Sequence, residues 1–296
     1  MTTTSENIAG IRPGMIETRL GAVECARSGT GPAVLLLHGA MGGWDQGMTL
    51  GQAAIGSAEF EFIAISRPGY LGTPLGLGAA PEDQADLCAE LLNALGIRRA
   101  AAVAISGGGQ CALQFALRHP GMCGALVMIS ACSAPLEVRV PLRFRLLLLM
   151  TRFPAVVAKM RKKAADDPES LVRRSIPDAE LRARTVGDPE VGPLLRRHQL
   201  SSMERMTERL PGTRNDIAQS RKAFAYPLER IQAPALIVHG TMDEAVPFRQ
   251  AESLAAALPR AEFLPIPDGQ HVSLFTHRPL IREKVNQFLD RHLLRR

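Results

Sequence analysis

A serine at 106, an aspartate at 243 and a histidine at 271 have the types and settings that nucleophilic catalysis requires. A serine hydroxyl is a weak nucleophile until a base takes its proton and a third group fixes that base. Ser106 lies in Ala104-Ile105-Ser106-Gly107-Gly108-Gly109, after an apolar run and before a helical pattern. On such a strand-to-helix turn the backbone is strained and the hydroxyl projects above the sheet. The residues two before and two after the serine must be small because they approach each other closely, and Ala104 and Gly108 are. The N–H of Gly107, opening the next helix, is placed to stabilise an anion. The competing reading is a phosphate-binding glycine loop, but neither G-x-x-x-x-G-K-[ST] nor G-x-G-x-x-G follows.

Seven histidines compete for the role of base. His38 follows a strand in Leu37-His38-Gly39-Ala40. His119 sits at a helix stop before Pro120, and His198 stands among arginines. His239 ends a strand, and His277 and His292 lie in or beside the last helix. Only His271 occupies a short polar loop, Pro267-Asp268-Gly269-Gln270-His271, between a late strand and the last helix. For the orienting acid, Asp243 ends the run Leu236-Ile237-Val238-His239-Gly240-Thr241-Met242-Asp243, with Glu244 as the alternative. Alone, Asp243 reads equally well as a turn residue. The order Ser, Asp, His, each just beyond a strand, favours the catalytic reading.

The elements that must hold these residues follow from apolar patterning. Met15 to Arg19 and Ala22 to Arg27 form an antiparallel pair around Gly21. Short continuous apolar runs at Ala33–Leu37, Glu61–Ser66, Ala100–Ile105, Ala125–Ile129, Ala235–His239 and Glu262–Ile266 read as strands buried on both faces. Helical patterns at Glu82–Leu95 (with Gly96 as its C-terminal stop), Gln110–Arg118, Arg249–Leu258 and Leu280–Leu294 alternate with them. Alternation of this kind predicts an α/β fold with a mostly parallel central sheet flanked by helices. Between Ser133 and about Arg230 the rhythm breaks. Helical patches at Leu142–Arg152, Ala155–Ala165 and Leu194–Leu210 are set off by prolines at 154, 168, 177, 189, 193 and 211. Residues 1–133 and 231–296 thus read as the core, and 134–230 as a helical cap inserted between two strands.

Composition narrows the class. The chain has 296 residues, 46% of them apolar, enough for one sizeable core. Met1 to Gly10 lacks the basic start and apolar stretch of a signal peptide. No apolar run, Leu146–Met150 included, approaches the roughly 20 residues a membrane span needs. A cytoplasmic address without stable membrane insertion is expected. Five cysteines at 25, 88, 111, 123 and 132 show no C-x-x-C spacing and read as inert buried thiols. The net charge of +6 is uneven. Residues 134–230 carry 20 Lys and Arg against 12 Asp and Glu, and the remainder 15 against 17. The surplus is confined to one segment, with no aromatic-interleaved basic stretch, so nucleic acid is not an expected partner.

Four motifs in order resemble those of the α/β-hydrolase superfamily. His38-Gly39-Ala40-Met41-Gly42-Gly43 is similar to its oxyanion loop, and the Ser106 turn to its nucleophile elbow. His239–Asp243 with Val246-Pro247 is similar to its acid loop, and Gly269-Gln270-His271 to its histidine loop. The resemblance covers roughly Met15–Ala134 and Pro234–Arg296. The insertion resembles the family's variable cap only in position and helical character. It implies a Ser106–His271–Asp243 triad and an oxyanion hole of the Gly107 and Ala40 N–H groups, with Met41 as second choice for the latter. His38 then shapes its loop. Two departures stand out. Ala104 replaces the first glycine of G-x-S-x-G, and Ser66, before Arg67-Pro68-Gly69, stands where many relatives have an aspartate. Arg67 is read as a structural ion-pair candidate. A serine nucleophile argues against the haloalkane dehalogenase and epoxide hydrolase branches, which use an aspartate.

The expected reaction is carboxylic-ester hydrolysis through an acyl-enzyme, with no metal and no organic cofactor. The expected substrate is a small ester with an apolar acyl part. It would lie between the sheet's C-terminal edge and the cap, against Leu142, Phe144, Leu147 and Phe153. The same triad also serves C–C or amide hydrolysis and acyl transfer. Readings from other classes are a triad-retaining receptor with little turnover and a membrane-surface binder using the basic, apolar stretch 139–163. The basic surplus would either steer anionic substrates or simply solvate outward helix faces.

Overall fold

Strands covered on both faces need apolar residues at every position, and that is how the central ones here are built. A computed structural model describes residues 10–56, 59–136, 146, 149–151, 153–222 and 224–294. Eight strands form one sheet: β1 (Gly14–Thr18), β2 (Gly21–Ser28), β3 (Ala33–Leu37), β4 (Glu61–Ile65), β5 (Ala100–Ile105), β6 (Cys123–Ile129), β7 (Ala235–Gly240) and β8 (Ala261–Ile266). Their order is β1-β2-β4-β3-β5-β6-β7-β8. β1 and β2 form a hairpin with Thr18 opposite Gly21, and β2 runs antiparallel to β4. All remaining pairs are parallel. Pro265 sits in β8, an edge strand, where a missing N–H breaks no ladder bond.

The helices are α1 (Trp44–Ala54), α2 (Pro81–Ala94), α3 (Gly109–Arg118), α4 (Pro154–Asp166), α5 (Pro168–Ser175), α6 (Ala179–Gly187), α7 (Val191–Ser201), α8 (Met206–Ser220), α9 (Phe248–Ala257), α10 (Ser273–Thr276) and α11 (Arg278–Leu289). Strand residues alternate between two cores. Val34, Leu36, Val103, Val127 and Val238 pack with α1 and α11 residues such as Leu50 and Phe288. Leu35, Leu37, Ala104, Met128 and Ile237 pack with α2, α3 and α9 residues such as Leu91, Phe115 and Leu254. Gly96 caps α2 at φ +71, in the left-handed region that glycine reaches without strain. All five cysteines are free and buried. Among the described residues no helix is long and apolar enough to cross a membrane.

The α/β layering with a mostly parallel sheet matches the expectation, but some elements depart from it. Helix α1 had no sequence signal because Gly47 and Gly51 interrupt it. A Cβ at Gly51 would stand 2.8 Å from the Leu36 side chain, so the glycine permits close packing on the sheet. Between β6 and β7 lie α4 to α8. The single patch expected over 194–210 is two helices, α7 and α8, divided at Arg205 with φ 49. Pro193 falls in the first turn of α7, where a proline breaks no hydrogen bond, and Pro211 lies inside α8. Neither is the separator it was expected to be. The patch at 142–152 falls largely outside the described residues.

Candidate active site

Strand β5 delivers Ser106 to the C-terminal edge of the sheet, and α3 begins three residues later. Ser106 has φ 51, a conformation that non-glycine residues adopt only where the surroundings enforce it. Its carbonyl accepts from Cys132 N–H at 2.9 Å. The smallness of Gly108 has a different cause from the one expected. A Cβ there would stand 2.5 Å from Leu37 O and 2.8 Å from His38 O, so it is the end of β3 that crowds it, not Ala104.

The loops after β7 and β8 carry Asp243 and His271, and they are tied together. Thr241 N–H donates to Ile266 O (3.0 Å) and Met242 N–H to Gly269 O (2.9 Å). His271 Nδ1 lies 2.9 Å from Asp243 Oδ2 and 3.1 Å from Oδ1. Its Nε2 lies 3.1 Å from Ser106 Oγ. The carboxylate is acceptor-only when ionised, so Nδ1 carries the proton and Nε2 turns its lone pair to the serine hydroxyl. Asp243 Oδ1 also accepts from Ala245 and Val246 N–H, each at 2.9 Å. Burial opposes the charge on Asp243. Hydrogen bonds from His239, His271 and the Val246 amide outweigh it and hold the carboxyl well below the usual range. Glu244, the alternative acid, is exposed beside a cleft of about 310 Å³ that His271, Gln270, Met242 and Arg174 also line.

The 38–43 loop, expected to form an oxyanion hole, passes directly beside Ser106. A Cβ on Gly39 would stand 3.5 Å from Ser106 Oγ, and one on Gly107 would stand 3.4 Å from Ala40 N. Met41 N–H, the second choice, is already bonded to Thr213 Oγ1 at 3.0 Å. His38 is buried and neutral. Burial first, then the Arg67 charge, push its pKa well down. Its Nε2 accepts from Arg67 N–H (3.0 Å), so Nδ1–H donates to Gly39 O (2.7 Å). Arg67 is fully enclosed in an ion pair with Asp216 of α8, at 3.0 and 2.5 Å. Ser66 donates to Glu24 at 2.6 Å, so a carboxylate does stand at this place but comes from β2.

The other histidines do not reach the serine. His119 pairs with Asp86 at 2.8 Å, His277 bonds Thr276 at 2.9 Å, and His292 packs on Phe288. His239 Nε2 donates to Val246 O at 2.9 Å and lies 3.3 Å from Asp243 Oδ2. This second imidazole at the acid was not expected, although its place four residues before Asp243 was visible. His198 of α7 packs against Phe275 in a tilted pair with ring centroids 5.3 Å apart, and its buried Nδ1 has no partner among the described residues. Burial pushes its pKa down to about 4. Of the expected substrate-lining residues, Leu142, Phe144 and Leu147 lie outside the described residues. Phe153, at the start of α4, is 60% exposed and not enclosed.

Residues 32–278 match the family model described as the alpha/beta hydrolase fold. An alpha/beta hydrolase fold protein from Nakamurella multipartita superposes with a TM-score of 0.82 at 30% identity, covering 93% of this chain and 98% of that one. The pimeloyl-[acyl-carrier protein] methyl ester esterase of Chromobacterium violaceum is 27% identical over 84% of this chain and 91% of its own length. The 2-hydroxy-6-oxononadienedioate/2-hydroxy-6-oxononatrienedioate hydrolase of Burkholderia vietnamiensis is 25% identical over 89% of each. A mostly parallel sheet in this strand order, a serine turn after β5 and a match over most of the length lead to one conclusion: the chain belongs to the alpha/beta hydrolase fold family.

Proposed function

We propose that the chain is a serine hydrolase that cleaves a carboxylic ester through an acyl-enzyme on Ser106. One observation carries the reading: the continuous line from Ser106 Oγ through both His271 nitrogens to Asp243, at 3.1 and 2.9 Å. His271 Nε2 takes the hydroxyl proton as Ser106 Oγ attacks the ester carbonyl. The Gly107 and Ala40 N–H groups receive the oxyanion. The imidazolium returns its proton to the leaving alcohol, and the same nitrogen then activates water to release the acid. Asp243 stays ionised throughout and stabilises the imidazolium. In this reading α4 to α8 belong to a cap spanning 134–230, and the chain works in the cytoplasm on a small-molecule ester with an apolar acyl part. The esterase of Chromobacterium violaceum supports an ester. The Burkholderia relative, named a hydrolase of an oxo-dienedioate, keeps C–C cleavage by the same triad as the second reading.

The test combines p-nitrophenyl esters of graded acyl length with a fluorophosphonate probe. An acyl burst is expected, together with labelling of Ser106. Ser106→Ala should remain folded and lose on the order of 10³- to 10⁶-fold in rate. A folded variant keeping more than about a tenth of the rate would remove Ser106 from the mechanism. Binding without turnover would instead point to a receptor.

A further inference from the structure

We propose that helix α8 completes the oxyanion hole, with Thr213 as the positioning residue. The inference rests on the reading of Ser106 as nucleophile. Ala40 lies between two peptide planes, and each is pinned by a side chain. In the first plane Gly39 O and Ala40 N–H point opposite ways, because a trans peptide is flat. Gly39 O is held by His38 Nδ1–H at 2.7 Å and by Arg67 Nη2 at 3.4 Å, which fixes the direction of Ala40 N–H. In the second plane Met41 N–H donates to Thr213 Oγ1 at 3.0 Å. The Thr213 hydroxyl proton is committed to Arg209 O at 2.9 Å, so its oxygen presents a lone pair to Met41. Met41 has φ 58 without being glycine, a backbone state that persists only where its surroundings enforce it. The Thr213 bond on its N–H and a longer one from Gln46 Nε2 to its carbonyl, at 3.4 Å, hold it there.

Helix α8 also supplies the first pin indirectly. Asp216 holds Arg67 at 3.0 and 2.5 Å and accepts from Tyr70 Oη at 2.6 Å. The helix itself is anchored. Arg209 reaches back to Asp45 at 3.1 and 2.6 Å. At Pro211 the helical ladder opens. Glu208 O and Gly212 N–H, which would pair in an uninterrupted helix, bond instead to Leu71 N–H (2.9 Å) and Gly69 O (2.8 Å). An insertion that docks this tightly positions the loop that binds the oxyanion, so the hole is formed only with α8 in place.

Thr213→Val keeps the side-chain shape and removes the acceptor. For p-nitrophenyl butyrate, kcat should fall by about ten- to a hundredfold while KM stays within about twofold. Affinity for an alkyl trifluoromethyl ketone, whose tetrahedral adduct places a negative oxygen in the hole, should fall by the same factor. Thr213→Ser should restore both. A Thr213→Val protein with kcat and ketone affinity both within about twofold of the unchanged chain overturns the proposal, as does a loss confined to KM. Should Thr213→Val not fold, Asp216→Asn tests the other pin and should weaken the ketone. Unchanged ketone affinity there is equally fatal. Fluorophosphonate labelling of the unchanged chain separates the two levels. No label on Ser106 removes both the nucleophile reading and this one, whereas a labelled Ser106 with unaltered Thr213→Val kinetics removes this one alone.

Discussion

Asp243 is held by more hydrogen bonds than a turn residue needs: two backbone amides on Oδ1, the Nδ1–H of His271 on Oδ2, and His239 alongside. Asp243→Asn keeps the size but cannot hold His271 in the tautomer that offers Nε2 to the serine. The rate should fall by roughly 10³- to 10⁴-fold in a folded protein. The sign of the pH dependence follows from the same contacts. Asp243 keeps its charge far below neutrality, and His38 and His198 are kept neutral by burial. The acid limb of kcat/KM should therefore report one proton taken up by the imidazole at Ser106, since a protonated base cannot accept the hydroxyl proton. A limb steeper than one proton would contradict this. Ser106, Asp243 and His271, which the fold brings together, were legible because each stands in a local motif. Their order along the chain favoured Asp243 over Glu244, and the folded loop turns the Asp243 carboxylate inward while Glu244 is exposed. Thr213 and Asp216 were invisible for a simpler reason: their partners Met41 and Arg67 lie 172 and 149 residues away.

Strands and helices of the core were legible because a strand covered on both faces has few alternatives to an unbroken apolar run. Helix α1 and the split between α7 and α8 were not, because tertiary contact decides them. Glycines in α1 fit the sheet, and the proline in α8 is tolerated because the 69–71 loop takes up the freed backbone groups. That docking makes a prediction at Gly212. Helix propensity alone would have Gly212→Ala stabilise α8 by about 1 kcal/mol. A Cβ there, however, would stand 2.3 Å from the Tyr70 ring, which is itself fully buried. Overpacking of that kind costs about 1–3 kcal/mol and should win. The melting temperature of Gly212→Ala should drop by several degrees, and hydrogen exchange should quicken in α8 before the sheet. A raised melting temperature would mean that the ring yields freely and that the docking is loose.

At the scale of the whole molecule the question is what the basic surplus of residues 134–230 does. Several of the segment's cations are paired, although pairs inside the segment leave its net surplus unchanged. Arg205 pairs with Glu208, Arg173 with Asp167 and Lys162 with Asp166 within the segment, and Arg209 pairs with Asp45 across to α1. The cleft beside His271 carries Arg174 and Glu244 together, one charge of each sign. Surface fields of this kind fade over about 10 Å at 0.1 M ionic strength. A net field reaching Ser106 from outward helix faces is therefore not expected, and the surplus should act on solubility more than on substrate capture. The comparison that decides it is a neutral ester against a carboxylate-bearing ester of the same acyl group, with kcat/KM followed over rising salt. The two should change in parallel. A steeper fall for the carboxylate ester alone would show that the surplus draws anions to the cleft, and charge reversal at Arg174 should then flatten that difference.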